Sequence, residues 1–221
     1  MRELIVVPAD KLHRSDQLDY EGLALIETLG IGKHAVDRAA VGSGDPVAVL
    51  GLGPIGLTVV QFALIAGAEV VGIDPSPQRA DMARSLLGIK TIVPYPKKSI
   101  ERQWTDAHGD PPLIVFDATG NRQSMQSAFD LPINGGILVL VGLVKGELVF
   151  DDPGFHRKEL TLMSSRNSTG NDFRQIIAWI EEGRVDVKPW ITHRCGVEVL
   201  PKQFDDWLRP DAGLLKGIVS L

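Results

Sequence analysis

The chain has 221 residues, of which 44% are hydrophobic and 23% charged, with a formal net charge of −5. That length buries a sizeable core and that composition excludes a disordered chain, while the negative balance and the lack of a Lys/Arg stripe argue against a nucleic-acid partner. One cysteine, Cys195, excludes an internal disulfide framework and a zinc site built mainly from this chain's thiolates, and points to a reducing compartment.

The opening stretch "MRELIVVPADKLHRS" has one short strand-like run and lacks the basic and then long apolar design of a signal peptide. A helix is expected over "YEGLALIETLG". After Gly44, short apolar runs alternate with helical patterns: "PVAVL", a helix over 54–66, "EVVGID", a helix over 77–87, then "TIV". The alternation continues with a polar helix over 99–107, "LIVFDATG", a helix over 122–131, "GGILVLVGL" and "ELTLM". The basic stretch "KKSIER" in this region reads as a solvated helix face. Even "LTVVQFALIAG" falls short of the roughly eighteen apolar residues of a membrane span, so no membrane partner and a cytoplasmic location are expected. Strands alternating with helices predict crossover connections and a parallel sheet, and continuous β-branched runs predict strands covered on both faces. From Gly170 to Leu221 the pattern gives helix, strand, helix and strand. Neither flank buries much core alone, and both are read as parts of a second domain.

The stretch "GLGPIG" places Gly51, Gly53 and Gly56 between a strand and a helix. The motif alone is weak, but here it follows a strand, opens a helix through Pro54 and Ile55, and precedes a second strand ending in Asp74. In a dinucleotide site the first glycine permits the tight turn, the second lets the backbone approach a pyrophosphate, and the third packs helix on strand. Helix-end N–H groups then face the diphosphate. Asp74 is expected to accept from the adenosine ribose hydroxyls, which favours NAD over NADP; otherwise it caps the turn "DPSPQ". Arg79 reaches the adenosine side or lies on a solvated helix face.

With these residues, the chain resembles the medium-chain, zinc-dependent alcohol and polyol dehydrogenases, the superfamily of sorbitol and threonine dehydrogenases. The resemblance rests on "VPADKL", "ALIETLGIGKHAV", "GLGPIGL", "VFDATG", "GGILVLVGL" and "WITHR", and "FHRKELTLMSSRNST" looks like the sugar-acid and polyol branch. It implies an α/β fold in which a Rossmann doubly wound parallel sheet is flanked by remnants of a discontinuous GroES-like catalytic domain. The implied boundaries are 1–30 for a catalytic-domain remnant, 31–169 for the NAD-binding domain and 170–221 for the return to the catalytic domain. Such enzymes carry a Cys and a His-Glu pair as zinc ligands in a portion that would lie upstream of Met1, roughly the first third of the enzyme.

The resemblance also implies NAD and zinc as cofactors, a small-molecule alcohol or ketone as substrate, and a homodimer or homotetramer paired through an edge strand such as "ELTLM". Glu27 matches the family's carboxylate near the catalytic zinc, as ligand or beside it, although Thr28 stands where a proline is usual; an exposed helix glutamate is the plain alternative. Arg166 matches an arginine near nicotinamide and substrate, and Lys216 a basic residue that touches the cofactor phosphates; surface roles are the alternatives. Thr119 and Gly120, and Val141, Gly142 and Leu143, follow two parallel strands, where ligands bind in doubly wound sheets, and are expected to hold the nicotinamide ribose and carboxamide. His34, His156 and His193 with Cys195 do not close a tetrahedral metal site. The expected activity is NAD-dependent oxidation of a secondary alcohol to a ketone. The rival readings are a noncatalytic NAD-binding module and a nonfunctional fragment with exposed apolar surface.

Overall fold

A computed structural model describes residues 4–94, 97–209 and 211–221. The chain divides into two compact units, Thr28–Ser168 and Met1–Glu27 with Thr169–Leu221. Helix α1 (Tyr20–Arg38) runs through the division at Glu27 and Thr28, eight residues beyond the expected "YEGLALIETLG".

Among the described residues the larger unit is built on six parallel strands: β1 (Pro46–Leu50), β2 (Glu69–Ile73), β3 (Lys90–Ile92), β4 (Ile114–Asp117), β5 (Ile137–Leu140) and β6 (Thr161–Ser164). Their order is β3-β2-β1-β4-β5-β6, all neighbours parallel. Crossovers α2 (Pro54–Ile65), α3 (Pro77–Leu87), α4 (Ile100–His108), α5 (Arg122–Ser127) and α6 (Asp152–Arg157) connect them. This is the doubly wound order in which the chain reverses direction between β1 and β4, opening a crevice at the carboxyl ends of those strands. One face of the sheet packs Ala48, Leu50, Val71, Ile73, Val115 and Leu138 against Trp104 of α4 and Phe129. The alternate residues Val47 and Val49 are equally buried, as the unbroken apolar runs require of strands covered on both sides.

Register brings the site residues level. Leu50 pairs with Ile73 on one side and Asp117 on the other, and Asp117 pairs with Leu140. The positions that follow each strand, Gly51, Asp74, Ala118 and Val141, therefore emerge at one edge of the sheet.

The smaller unit contains α7 (Gly170–Glu181), β7 (Ile191–Gly196), α8 (Leu200–Trp207) and β8 (Lys216–Ser220). The two strands pair in parallel, with Trp207 packed where any side chain at Gly217 would stand, 2.6 Å from a Cβ there. Arg194 of β7 holds Glu21 of α1 through two guanidinium nitrogens at 2.6 and 2.9 Å. The strand-like run near the start does not form a strand. Leu4, Ile5 and Val6 are exposed and pair with no strand, because an apolar run makes a strand only where a neighbour accepts its backbone groups. The predicted helix over 122–131 is shorter, α5 giving way to a 3-10 turn at Ala128–Asp130.

Candidate functional site

The glycine turn is constrained differently at each of its three glycines. Gly51 has φ +85°, and its N–H donates to the Ile73 carbonyl at 2.8 Å. A Cβ there would lie 2.9 Å from the Thr119 side chain. At Gly56 a Cβ would stand 1.7 Å from the Gly51 carbonyl oxygen, so the helix rests directly on the turn. Gly53 is different: a Cβ there would meet only an Arg79 guanidinium nitrogen at 4.0 Å. Packing within the protein accounts for the first and third glycines, whereas the bare backbone at Gly53 faces open space.

Gly53 is also the N-cap of α2, and no side chain caps it. Helices α3, α4, α5, α6 and α7 are each capped by a side chain, from Ser76, Ser99, Asn121, Asp151 and Thr169. Pro54 fills the first helical turn of α2, followed by Ile55. An uncapped N-terminus leaves first-turn N–H groups and the positive end of the helix dipole for an anion.

Asp74 lies immediately after β2 and is 2% exposed. Its Oδ2 accepts from the Leu52 N–H at 2.8 Å, and its Oδ1 accepts from the Ser76 N–H at 2.8 Å. The cap of the "DPSPQ" turn is thus present, together with a tie to the glycine turn that sequence reasoning did not contain. A carboxylate has about four lone-pair sites, so two amide contacts leave acceptor capacity for ligand hydroxyls. Arg79 stands 3.8 Å from Asp74 Oδ2 with its own side chain largely exposed. Gly51, Gly53, Asp74, Arg79 and Thr119 line one cavity of about 710 Å³, together with Lys98, Gln103, Asn121 and Gln123.

Beside it, Asp117 organises the next two strand ends. It is fully buried, and its Oδ1 accepts from both the backbone N–H and the hydroxyl of Thr119, at 2.9 and 2.6 Å. Its Oδ2 accepts from the Ser124 hydroxyl at 2.7 Å, and its carbonyl accepts from the N–H groups of Val141 and Gly142. Burial pushes the Asp117 carboxyl above its ordinary range, opposed by the Thr119 and Ser124 hydrogen bonds. Gly120, with φ +59°, and Gly142 touch closely: a Cβ on Gly142 would lie 2.4 Å from the Gly120 nitrogen. Leu143 projects, 88% exposed. Asp117 is a site residue that the motifs do not single out; its signal in the sequence is a carboxylate ending an otherwise apolar strand.

Arg166 is exposed two residues past β6. Glu27 and Lys216 belong to the smaller unit, and the fold puts them within electrostatic reach of each other. Glu27 is exposed; Lys216 opens β8 half-buried, and that burial pushes its amine down from 10.5 while the Glu27 charge pulls it up. His193 and Cys195 alternate along β7, with the His193 ring edge-on to Trp207 and its Nδ1 2.9 Å from the Thr192 hydroxyl. His156 is exposed on α6, and His34 is half-buried in α1. Among the described residues no three His, Cys, Asp or Glu side chains gather as a metal-binding group. No helix of the described residues is long and apolar enough to cross a membrane.

Comparison with known proteins places this geometry. The chain is 36% identical over 218 residues to L-galactonate-5-dehydrogenase of Escherichia coli (strain K12), a match covering 99% of this chain and 64% of that protein. It is 32% identical over 189 residues to 2-dehydro-3-deoxy-L-galactonate 5-dehydrogenase of Pseudoalteromonas atlantica, covering 84% of this chain and 54% of that protein. The chain therefore spans somewhat over half the length of these relatives. Its fold superposes with TM-score 0.88, at 22% identity, on an alcohol dehydrogenase (rspB) of E. coli CFT073 crystallised with NADH, covering 97% of this chain and 64% of that one. The profile described as zinc-binding dehydrogenase matches residues 54–182, more than half of the chain. A doubly wound sheet with this glycine turn and this match identifies the chain as a member of the zinc-binding dehydrogenase family.

Proposed function

We propose that the chain binds NAD at the β1–β4 crevice and serves a dehydrogenase that oxidises a secondary hydroxyl of a sugar acid or polyol to a ketone. The observation that carries this reading is the contrast within the glycine turn: Gly51 and Gly56 are demanded by the protein's own packing, while Gly53 is open above an uncapped helix. The open backbone and free helix end accommodate a diphosphate, and the buried Asp74 carboxylate accepts from an adenosine ribose. NAD, when bound, supplies the acceptor for the hydride leaving the carbinol carbon.

The chain's own groups divide the remaining work. Backbone groups of Thr119, Gly120 and Val141 to Leu143 hold the nicotinamide half, with Asp117 fixing both loops from beneath. The domain roles follow: Thr28–Ser168 as the coenzyme domain, and the smaller unit as part of a catalytic domain. Glu27, Lys216 and Arg166 are the candidate groups toward substrate and phosphate. The donors gathered in the described residues do not make a zinc site. The named reactions of the two sugar-acid relatives support the substrate class. Strand β6, at the edge of the sheet with Leu162 exposed, is the place for pairing with a second copy.

Calorimetric titration with NAD and NADP, with zinc content measured on the same sample, tests the reading. Micromolar NAD binding, tighter than NADP, is expected. An inability to bind NAD at millimolar concentration overturns it.

A further inference from the structure

Another cavity of the larger unit, of about 640 Å³, opens at the amino end of the sheet, where Pro46, Glu69 and Lys90 begin β1, β2 and β3. That volume suits a small molecule, and the length of β1, roughly 16 Å, separates the cavity from the glycine turn. Its wall is apolar, formed by Leu64, Val71, Ile89 and Trp104, the last 2% exposed and fixed by its Nε1, which donates to the Asp110 carbonyl at 2.9 Å. The His108 ring lies 5.0 Å from that indole. The rim carries four ionisable side chains, Glu69, Lys90, His108 and Asp110. Among the described residues none of these four makes a side-chain hydrogen bond or an ion pair, whereas Arg102 and Asp106 of the same helix α4 pair at 3.6 Å. Lys90 is level with Val71 in the β2–β3 register, and Glu69 stands two residues before Val71. Glu69 and Lys90 therefore share a face of the sheet at roughly 8 Å between Cα atoms, within reach of each other and yet apart.

The charges decide which ligand fits. Burial first, and then the Lys90 charge, push the His108 imidazole below its ordinary 6.5, toward the neutral form. At neutral pH the rim therefore sets one cation, Lys90, against two carboxylates, Glu69 and Asp110. A simple anion meets net repulsion here, on a chain of formal charge −5, and a simple cation meets Lys90. A ligand with both charges close together answers all three groups and leaves its apolar part for the wall. We infer that this cavity binds a zwitterionic α-amino acid with an aromatic side chain, its carboxylate on Lys90 and its ammonium on Glu69 and Asp110. An aromatic side chain fits better than an aliphatic one because the wall already presents two rings, and a third gains edge or offset contact beyond its buried area. The cavity lies at the other end of the strands from the crevice proposed for NAD, and its occupancy does not depend on that reading.

The test is an NMR titration of the 221-residue chain with L-phenylalanine, with 3-phenylpropionate, which lacks the ammonium, and with L-phenylalaninamide, which lacks the carboxylate. L-Phenylalanine is expected to bind with a Kd of about 0.1–1 mM and to shift the His108 ring and Trp104 indole resonances. Each truncated compound is expected to bind at least about tenfold more weakly, having lost one charged contact. Lys90→Met and Glu69→Gln are expected to weaken L-phenylalanine by about tenfold, with ligand-free melting temperatures within about 2 °C of the parent because both side chains are exposed. The absence of His108 and Trp104 shifts at about 10 mM L-phenylalanine overturns the site. So does equal binding of either truncated compound, which would make the cavity a site for a simple anion or a simple cation, and so does full affinity in both variants.

Discussion

The carboxylate of Asp74 accepts the backbone N–H of Leu52 at 2.8 Å, joining the end of β2 to the middle of the glycine turn across 22 residues of sequence. The same side chain thus shapes the turn and offers oxygen atoms to whatever lies in the crevice. Replacing it separates the two roles. Asp74→Ala leaves the buried Leu52 N–H without its partner and is expected to lower stability by about 1–3 kcal/mol. Loss of the turn's support weakens NAD and NADP alike, while loss of the ribose acceptor falls on NAD, which should lose about tenfold more affinity. Calorimetry with both coenzymes, beside urea unfolding, reads the two effects; equal losses for NAD and NADP would remove the ribose role.

Gly53 and Gly56 are three residues apart and should respond oppositely. In Gly56→Ala the new methyl meets the Gly51 carbonyl oxygen at 1.7 Å, and a stability loss of about 3 kcal/mol is expected. In Gly53→Ala the nearest atom lies 4.0 Å away, so unfolding should shift by less than about 1 kcal/mol while coenzyme affinity drops tenfold or more. A Gly53→Ala variant that binds NAD normally would show that nothing approaches this backbone.

Asp117 carries a pH dependence whose sign is set by burial. Its carboxyl is raised from 3.8 in the folded chain, chiefly by desolvation and against the pull of Thr119 and Ser124. The native state therefore holds its proton to higher pH than the unfolded chain does. The stability from this group is complete below 3.8 and is lost as pH rises through the folded value. The margin of the parent chain over Asp117→Asn should shrink in urea unfolding as pH rises above 3.8. A margin that widens over that range would contradict desolvation as the dominant cause.

Glu27 and Lys216 supply a local probe of the smaller unit. Burial lowers the Lys216 amine and Glu27 opposes that shift, so Glu27→Gln should move Lys216 further below 10.5. For a lysine depressed in the folded state, stability rises as pH climbs from the folded value toward 10.5, and the variant should widen that window. Carbon-13 NMR titration of the lysine side chain measures the shift directly; an unmoved Lys216 would separate the two residues.

The sequence alone determined the repeating strand and helix pattern, the parallel sheet implied by it, and the place of the glycine turn between β1 and α2. Those features are local: β-branched runs, a proline in the first turn, and hydroxyl or Asn caps three residues ahead of the N–H they bind, as at Ser76, Ser99 and Asn121. Asp74 was legible because it ends a strand at a fixed distance from the glycines. Only the tertiary structure decided that both its oxygens accept backbone amides, that Asp117 ties two loops, and that Glu27 and Lys216 share one neighbourhood. It also decided that the apolar residues near the start form no strand. Each of these depends on what a distant segment brings within a few ångströms, and pairing across strands and burial of a single side chain leave no periodic trace in the chain.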